Sequence, residues 1–289
     1  MKKIVSVLCL VLITSSVMMA QVSKHKRAYK LFNKSGKKIS YRKFIKQLSK
    51  ADVVLFGELH NNAIAHWLEL AIAKDLNKNK ELILGTELLE RDDQQVIDDY
   101  LAGQIDAKAM DTLAKALPSN YKTDYKPLVD FAKAKNIKFV GSNIPRRFAR
   151  IVYRKGFEGL NELSASEKAW IAPLPIDYDP NLKSYQEMLT MMGGHGGDNL
   201  PKAQAIKDAT MAHFIGQYFT KGKLFFHVNG SYHSDQYEGI VWYLAKKSPE
   251  LKVKTISVLS QKDISKLDKE KKGIADYFIV VDEDMTTTY

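Results

Sequence analysis

The sequence predicts a three-layer α/β/α sandwich, in which a mainly parallel sheet lies between helices. Short apolar runs alternate along the chain with longer segments of helical periodicity. This alternation is typical of parallel strands joined by helices that cover both sheet faces. The predicted strands lie at residues 53–56, 82–84, 137–140, 224–228, 253–259 and 277–281.

The predicted helices fill the stretches between these strands. Residues 62–77 carry Ile64, Leu68, Ile72 and Leu76 at four-residue spacing, which is the period of one helix face. Further helices are expected near residues 92–103, 107–117, 125–135, 145–155, 200–220 and 236–247. The long stretch from about 145 to 220 separates the third strand from the fourth, and we expect it to form a helical cap over one end of the sheet.

The first twenty residues have the pattern of a secretory signal. Lys2 and Lys3 precede an apolar run over residues 4–19, and Ala20 follows as a small residue at the expected cleavage point. An uncleaved anchor is the alternative, although the run is shorter than the roughly 20 residues a membrane span needs. Cys9 is the chain's one cysteine, so the cleaved protein would form no disulfide or thiolate metal site.

The chain is basic, and much of its positive charge is local. The formal net charge of +11 falls to +9 when Lys2 and Lys3 leave with the signal. Residues 21–50 hold eleven Lys or Arg and no acidic residue. This basic segment is either a solvated stretch or a docking surface for an anionic membrane or acidic partner. No nucleic-acid recognition motif is found, and residues 51–289 are expected to form a single domain.

Polar side chains follow four consecutive predicted strands, at the points where the strands end. In open α/β sheets, ligands bind in the crevice at the carboxyl ends of the strands. We therefore expect a functional site there. The residues delivered to this edge are Glu58 and His60, Glu87, Asn143 with Arg146 and Arg147, and Asn229 with Ser231 and His233.

Two of these strand ends carry the same Gly-x-x-His pattern, Gly57 to His60 and Gly230 to His233. Gly57 is expected to let the chain leave its strand in a conformation that other residues resist. A carboxylate beside an imidazole binds a metal ion or performs acid–base chemistry, whereas a lone copy is also compatible with an ordinary turn. Because two copies occur, His60 and His233 are expected to meet, and the candidate metal ligands are His60, His233, Glu58 and Glu87.

Several nearby polar residues have simpler interpretations. Glu87 is expected to pair with Arg146 or Arg147, since a carboxylate at a buried strand end is costly unless paired. His66 is expected to be a packed or surface residue, and His227 a core histidine whose hydrogen bonds are satisfied. Asp208, on the helix near 200–220, is expected to bond to a strand-end group.

A glycine-flanked histidine marks a second candidate site. His195 lies between glycine pairs and follows Met191 and Met192. Haem requires an axial ligand, apolar cover for its ring and cations for its propionates. His195, Tyr178 or Tyr185 could supply the ligand, Met192 the cover and Arg146 the cation. A flexible surface loop is the alternative.

Taken in order, these motifs resemble the ChaN-like haem-binding family. The resemblance rests on the stretch from Phe56 to His60, the Glu87 strand end, residues 143–146, the His195 loop, residues 204–211 and residues 230–233. It implies a three-layer α/β/α fold and haem uptake outside the cytoplasm. The haem iron would be held by a tyrosine, and a histidine would lie nearby. Tyr185 and Tyr178 are the candidates. Cys9 is badly placed for the lipid anchor that such proteins can carry.

The resemblance extends to a superfamily that includes Tiki-like and TraB-like proteins and erythromycin esterases, so a hydrolase is the alternative function. In that hypothesis His60 and His233 hold a divalent ion such as zinc or manganese, Glu58 acts as general base, and Arg147 or Asn229 stabilises the oxyanion. The first hypothesis remains an exported, periplasmic or envelope-associated protein that binds haem for iron uptake. Its expected partners are an outer-membrane haem receptor or the membrane surface, and a second copy of the chain.

Overall fold

The computed structural model describes residues 27–115, 117–191 and 197–289. Its centre is a seven-stranded sheet of order β1-β7-β6-β2-β5-β3-β4. Six strands run parallel, and β1 pairs antiparallel with β7 at one edge. The strands are β1 (Tyr29–Asn33), β2 (Val53–Glu58), β3 (Leu82–Glu90), β4 (Lys138–Asn143), β5 (Leu224–Gly230), β6 (Val253–Gln261) and β7 (Tyr277–Asp282).

Helices cover both faces of the sheet, as the sequence predicts. They are α1 (Tyr41–Leu48), α2 (Ala63–Asn77), α3 (Gln94–Leu101), α4 (Ala107–Leu113), α5 (Lys126–Lys135), α6 (Arg146–Lys155), α7 (Ala165–Lys168), α8 (Lys183–Met191), α9 (Asn199–Tyr218) and α10 (Ile240–Lys247). A single π-helical turn, Tyr121–Tyr125, precedes α5.

The central strands are buried on both faces because neighbouring side chains enter two different cores. Val54 and Phe56 of β2 pack with residues of α2 and α5. Val53 and Leu55 pack on the opposite face with residues of α9 and α10. This arrangement explains why the predicted strands read as continuous apolar runs, and it confirms the three-layer α/β/α fold.

The strand order gathers the strand ends where the site was expected. Strand β2 lies between β5 and β6, and β5 lies between β2 and β3. The turns that follow β2 and β5 are therefore neighbours at the carboxyl edge of the sheet. The third strand is longer than expected, because β3 continues through Glu87 to Glu90 with a register shift against β4.

The basic segment contains a strand and a helix that the sequence analysis did not predict. Leu31 and Phe32 of β1 are buried against the sheet, and Phe44 and Leu48 of α1 are fully buried. The folded unit therefore begins before residue 51. Strand β1 was not predicted because its few apolar residues lie among lysines. Charged residues are common on edge strands.

The stretch from 145 to 220 divides into two parts rather than forming one cap. Helix α6 and residues 157–176 pack with the first half of α9 around Phe148 and Ile206. The second half of α9 packs directly on the sheet through Met211 and Phe214. Only the region from α6 to α8 therefore caps the strands. Among the described residues, which exclude the predicted signal at 1–20, no helix is long and apolar enough to cross a membrane.

Candidate functional site

The two Gly-x-x-His turns lie against each other at the carboxyl edge of the sheet. A Cβ atom added at Gly230 would stand 3.0 Å from the His60 ring. Gly57 lies within β2 and pairs with Asn229 and Ser257. The prediction that this glycine adopts a conformation other residues resist is therefore wrong. The requirement is steric, because a Cβ at Gly57 would lie 2.8 Å from the backbone oxygen of Ile256.

Glu58, at the end of β2, is the centre of the first network. His60 Nδ1 lies 2.7 Å from Glu58 Oε1, and the Tyr125 hydroxyl donates to the same oxygen at 2.8 Å. Burial would raise the pKa of Glu58, but hydrogen bonds from His60 and His66 outweigh it and lower the pKa to about 2. Glu58 is thus a buried carboxylate, while the His60 side chain is 45% exposed.

His66 and Glu69, on α2, extend this network into the protein. His66 Nδ1 lies 3.1 Å from Glu58 Oε2 and 3.3 Å from Glu69 Oε1. Burial would lower the pKa of His66, but the two glutamates raise it to about 11. Burial, and then the charge of Glu58, raise the pKa of Glu69 well above its usual value. His66 is a packed residue, which was one of the two alternatives expected for it.

His233 is the centre of the second network. Its Nδ1 lies 2.5 Å from Asp208 Oδ1 and its Nε2 lies 3.0 Å from Glu87 Oε1. Burial would lower the pKa of His233, but the charges of Glu87 and Asp208 raise it to about 10. Burial would raise the pKa of Glu87, yet His233 lowers it. The result is an imidazolium held between two carboxyl groups.

Helix α9 supplies two side chains that contact His233, and of these Asp208 is the hydrogen-bond acceptor. Gln204 Nε2 lies 3.1 Å from the His233 ring nitrogens, and Asp208 follows one helical turn later. The Tyr185 hydroxyl donates to Asp208 Oδ2 at 3.0 Å. The expected bond between Asp208 and a strand-end group is therefore present, and its partner is His233.

The predicted pairing of Glu87 with an arginine is wrong. Arg147 lies 2.6 Å from Asp92, in the turn after β3. Arg146 is exposed, and its backbone N–H donates to the Glu90 carboxyl group. Glu87 instead accepts from the Gly230 N–H at 2.8 Å and pairs with His233. The difference arises because β5 lies next to β3, so the β5 turn reaches Glu87 from the neighbouring strand end.

Two neighbouring polar residues have structural roles. His227 is fully buried, with Ser142 Oγ at 2.7 Å from Nε2 and Asn229 Oδ1 at 3.1 Å from Nδ1. Burial lowers the pKa of His227 to about 4, so it is the neutral core histidine that was expected. The amide of Asn229 donates to the Gly230 carbonyl and to Ser234 Oγ. Those bonds occupy the donors that an oxyanion would need.

The predicted haem ligands Tyr178 and Tyr185 lie on the cap, and Tyr185 is linked to the His233 network through Asp208. Tyr185 is buried, and burial raises the pKa of its hydroxyl far above the usual range. Tyr178 is half-buried and stacks on Tyr185 with ring centroids 5.8 Å apart. Met192 and His195 lie outside the described residues.

Sequence analysis did not identify Tyr125 and Glu69 as neighbours of Glu58 and His66 in the candidate site. Glu69 carried a signal, because it interrupts the apolar face of α2 beside Leu68, where an unpaired charge is costly. Tyr125 carried none, since the π-helical turn that aims its hydroxyl at Glu58 leaves no simple sequence pattern. Among the described residues, Glu58, His66 and Glu69 place potential ligand atoms within 4.8 Å of one another. The predicted ligand His233 has both ring nitrogens facing carboxylates.

An open α/β sheet with ionisable groups converging at its strand ends defines a ligand-binding or catalytic class of protein. Comparison with known sequences identifies the family. Residues 44–244 match the family described as haem-binding uptake, Tiki superfamily, ChaN, and the chain belongs to this family. The predicted resemblance is thereby confirmed.

Solved structures show the same fold. The chain is similar to ChaN of Campylobacter jejuni, solved with cofacial haem binding, with a TM-score of 0.66 and 19% identity over 88% of this chain and 96% of that one. A Bacillus cereus protein gives a TM-score of 0.50 with 12% identity over 88% of this chain and 95% of that one. Among curated sequences, the chain is 24% identical over 169 residues to RETICULATA-RELATED 5, a chloroplastic protein of Arabidopsis thaliana. That match covers 54% of this chain and 23% of the plant protein.

Proposed function

We propose that this protein is exported and binds haem during the uptake of haem or iron. Membership of the haem-binding uptake family, over a match that contains both Gly-x-x-His turns, is the observation that carries the proposal. Export is supported by the signal-like residues 1–20. N-terminal sequencing of the secreted fraction should begin at Gln21.

The cap offers the surface on which haem would bind. Phe157 packs edge-on against Tyr178 and lines a hollow of about 270 Å³ with Leu174 and Ile176. Pockets that enclose a drug-sized ligand measure about 300–1,000 Å³, so haem would lie across this surface. One haem face would then remain open, which is compatible with cofacial binding of the kind named for the Campylobacter jejuni protein.

Tyr178 and His195 are the proposed iron ligands. A tyrosine must lose its proton to hold ferric iron, and its oxygen must be reachable. Tyr178 is half-buried, whereas the Tyr185 hydroxyl is enclosed and donates to Asp208. Tyr185 would instead position Tyr178 through their stacked rings. Met192 would cover the haem ring, and the exposed Arg146 would face a propionate.

The proposed partners follow from the basic segment and from the open haem face. An outer-membrane haem receptor or an anionic membrane would meet the basic residues of the segment 21–50. An open haem face would allow a second copy of the chain to complete the site.

Titration of the purified protein with hemin tests the proposal. We expect a saturable Soret shift, and we expect Tyr178→Phe to change that spectrum and weaken binding by at least about tenfold, or ~1.4 kcal/mol. His195→Ala should weaken it as well. Tyr153→Phe is the matched control, because Tyr153 is an exposed tyrosine of α6, and it should bind as the unmutated protein does. A wild-type protein without a Soret shift would refute haem binding.

Hydrolysis is a second candidate function, favoured by the Glu58–His60 pair. Glu58 orients His60 through Nδ1, which leaves Nε2 of a partly exposed ring beside the Gly230 turn. A carboxylate and histidine so arranged can perform general base catalysis. The base would be His60, since Glu58 is enclosed by His60 and Tyr125. Turnover of peptide or ester libraries that is abolished by His60→Ala would support this function, and inactivity of the wild-type protein would oppose it.

A further inference from the structure

Two carboxylates and one imidazole meet in a buried cluster behind His60. This cluster consists of Glu58, His66 and Glu69, each buried. His66 Nδ1 lies 3.1 Å from Glu58 Oε2 and 3.3 Å from Glu69 Oε1. The cluster lies between the end of β2 and the first turns of α2, and it is separate from the tyrosines of the cap.

The atoms that face one another inside this cluster make no well-aligned hydrogen bond, although His66 Nδ1 lies within ion-pair distance of both glutamates. These atoms are Glu58 Oε2, His66 Nδ1 and both carboxylate oxygens of Glu69. Buried polar atoms are nearly always hydrogen-bonded or bound to an ion, because leaving one unpaired costs several kcal/mol when it is charged. One ligand atom from each of the three residues lies within 4.8 Å of the others, so an ion among them would satisfy groups that His66 alone engages as an ion pair.

We propose that Glu58, His66 and Glu69 bind a divalent transition-metal ion, of the class of zinc or manganese. The distances between the candidate ligand atoms fit such an ion. Nitrogen and oxygen ligands lie about 2.0–2.1 Å from tetrahedral zinc, so two of them are about 3.3 Å apart. The distances of 3.1 and 3.3 Å from His66 Nδ1 to the two carboxylate oxygens match that separation.

The surroundings hold these three side chains as metal ligands are commonly held. His66 Nε2 contacts the His60 carbonyl at 3.0 Å and Asp124 Oδ2 at 3.4 Å. These contacts of Nε2 fix the His66 ring and direct Nδ1 into the cluster. Asn120 in turn donates to Asp124 at 2.6 Å.

The remaining oxygen of Glu58 is also engaged. Glu58 Oε1 accepts from Tyr125 and bonds to His60, which leaves Oε2 for the ion. Two carboxylates also balance the charge of a divalent cation, which a buried site requires. The ion would set the orientation of Glu58 and, through it, the orientation of His60.

This site differs from the metal site that the sequence suggested. The sequence pointed to His60, His233, Glu58 and Glu87, but Glu87 and His233 belong to the separate network with Asp208. The two sites share only Glu58. Measuring metal binding by variants of Glu69 and of Glu87 therefore shows which of the two sites holds the ion.

Metal binding by the full mature chain, stripped with a chelator and free of haem, tests the proposal. Zinc and manganese would be titrated separately, with bound metal measured by mass spectrometry and affinity by calorimetry. We expect one equivalent of ion and a rise in the unfolding temperature at saturation. Glu69→Gln and His66→Gln should each weaken binding by about tenfold or more.

Glu87→Gln is the matched control, because it neutralises another buried carboxylate at the same sheet edge. It should bind the ion as tightly as the unmutated protein. Equal weakening in Glu87→Gln and Glu69→Gln would overturn the proposal and place the ion at the strand-end turns. Absence of a bound equivalent in the unmutated protein, even with excess metal, would also overturn it.

The hemin spectrum separates this proposal from the proposed function. Glu69→Gln should retain the Soret shift, which also shows that the variant is folded. Loss of metal binding with haem binding intact would support the site. Intact metal binding without haem binding would leave the site standing and remove the haem proposal alone.

Discussion

At the scale of single residues, His233 is a buried group of the strand-end site whose charge depends on two carboxyl groups. It lies between Asp208 and Glu87 and has a pKa of about 10. Because this pKa is raised above the usual 6.5, protonated His233 stabilises the folded state. That contribution is fully present below pH 6.5 and is lost as the pH rises toward 10.

We therefore predict that His233→Gln destabilises the protein and changes its pH dependence. Removing one partner of a buried charged pair costs about 3–5 kcal/mol, so a large fall in the urea midpoint is expected at pH 6.5. The difference from the unmutated protein should shrink between pH 6.5 and pH 10. It should also shrink toward pH 5, where the two uncompensated carboxyl groups of the variant take up protons.

The control for this prediction is His213→Gln. His213 lies on α9, the helix that also carries Asp208. His213 is half-buried, and burial lowers its pKa, so its loss should leave the decline of stability above pH 6.5 unchanged. A His233→Gln protein that loses stability between pH 6.5 and 10 as steeply as the unmutated protein would contradict the assignment.

Residue identities at the strand ends were predictable, but their partners were not. Glu58, His60, Glu87 and His233 were recognised because each follows an apolar run that ends at one sheet edge. The partner of Glu87 was missed because strand order is a long-range property, and the order β2-β5-β3 places the β5 turn beside it. Glu69 and Tyr125 required knowledge of which helix face meets Glu58.

At the scale of secondary-structure elements, the buried strands and most helices were predictable from apolar runs and periodicity. The exceptions are elements whose stability depends on neighbours. Strand β1 forms because it can pair with the edge strand β7. The lysines near β1 obscure its apolar pattern in the sequence. The π-helical turn before α5 forms where Tyr121 and Tyr125 are both buried, which no local pattern shows.

The close approach of β2 to the β5 turn gives a prediction at this scale. A Cβ at Gly57 would lie 2.8 Å from the Ile256 carbonyl oxygen and 2.9 Å from Ser231 Cα. Both are backbone atoms, so the strand or the turn must move. We predict that Gly57→Ala lowers the free energy of unfolding by about 1–3 kcal/mol, the usual cost of overpacking, as measured by urea denaturation.

Gly216→Ala is the control substitution for Gly57→Ala. Gly216 lies inside α9, and its added Cβ would meet only Ser248 Oγ, at 3.2 Å. Alanine is favoured over glycine in a helix by roughly 0.5–1 kcal/mol, so the variant should be as stable as the unmutated protein or more so. If Gly57→Ala were equally stable, the steric account of this glycine would be wrong.

At the scale of the whole molecule, the sheet unites regions that are distant in the chain. Strand β1, near the N-terminus, pairs with β7, near the C-terminus, and helix α1 packs its Phe44 against Tyr277 of β7. The basic segment therefore closes one edge of the same sheet whose opposite half carries the two networks.

We accordingly predict that a chain beginning at residue 51 does not fold as a soluble monomer, whereas a chain beginning at residue 27 does. The shorter chain loses four buried side chains of β1 and α1, namely Leu31, Phe32, Phe44 and Leu48. Burial of each contributes about 1.5–3 kcal/mol, so their combined loss approaches the roughly 5–15 kcal/mol of a typical folding free energy. It also leaves β7 as an exposed apolar edge strand, which favours aggregation. Size-exclusion chromatography and urea denaturation of the two chains provide the measurement. A monomeric 51–289 chain that unfolds cooperatively at the same urea concentration as the 27–289 chain would show that β1 and α1 are accessory to the fold.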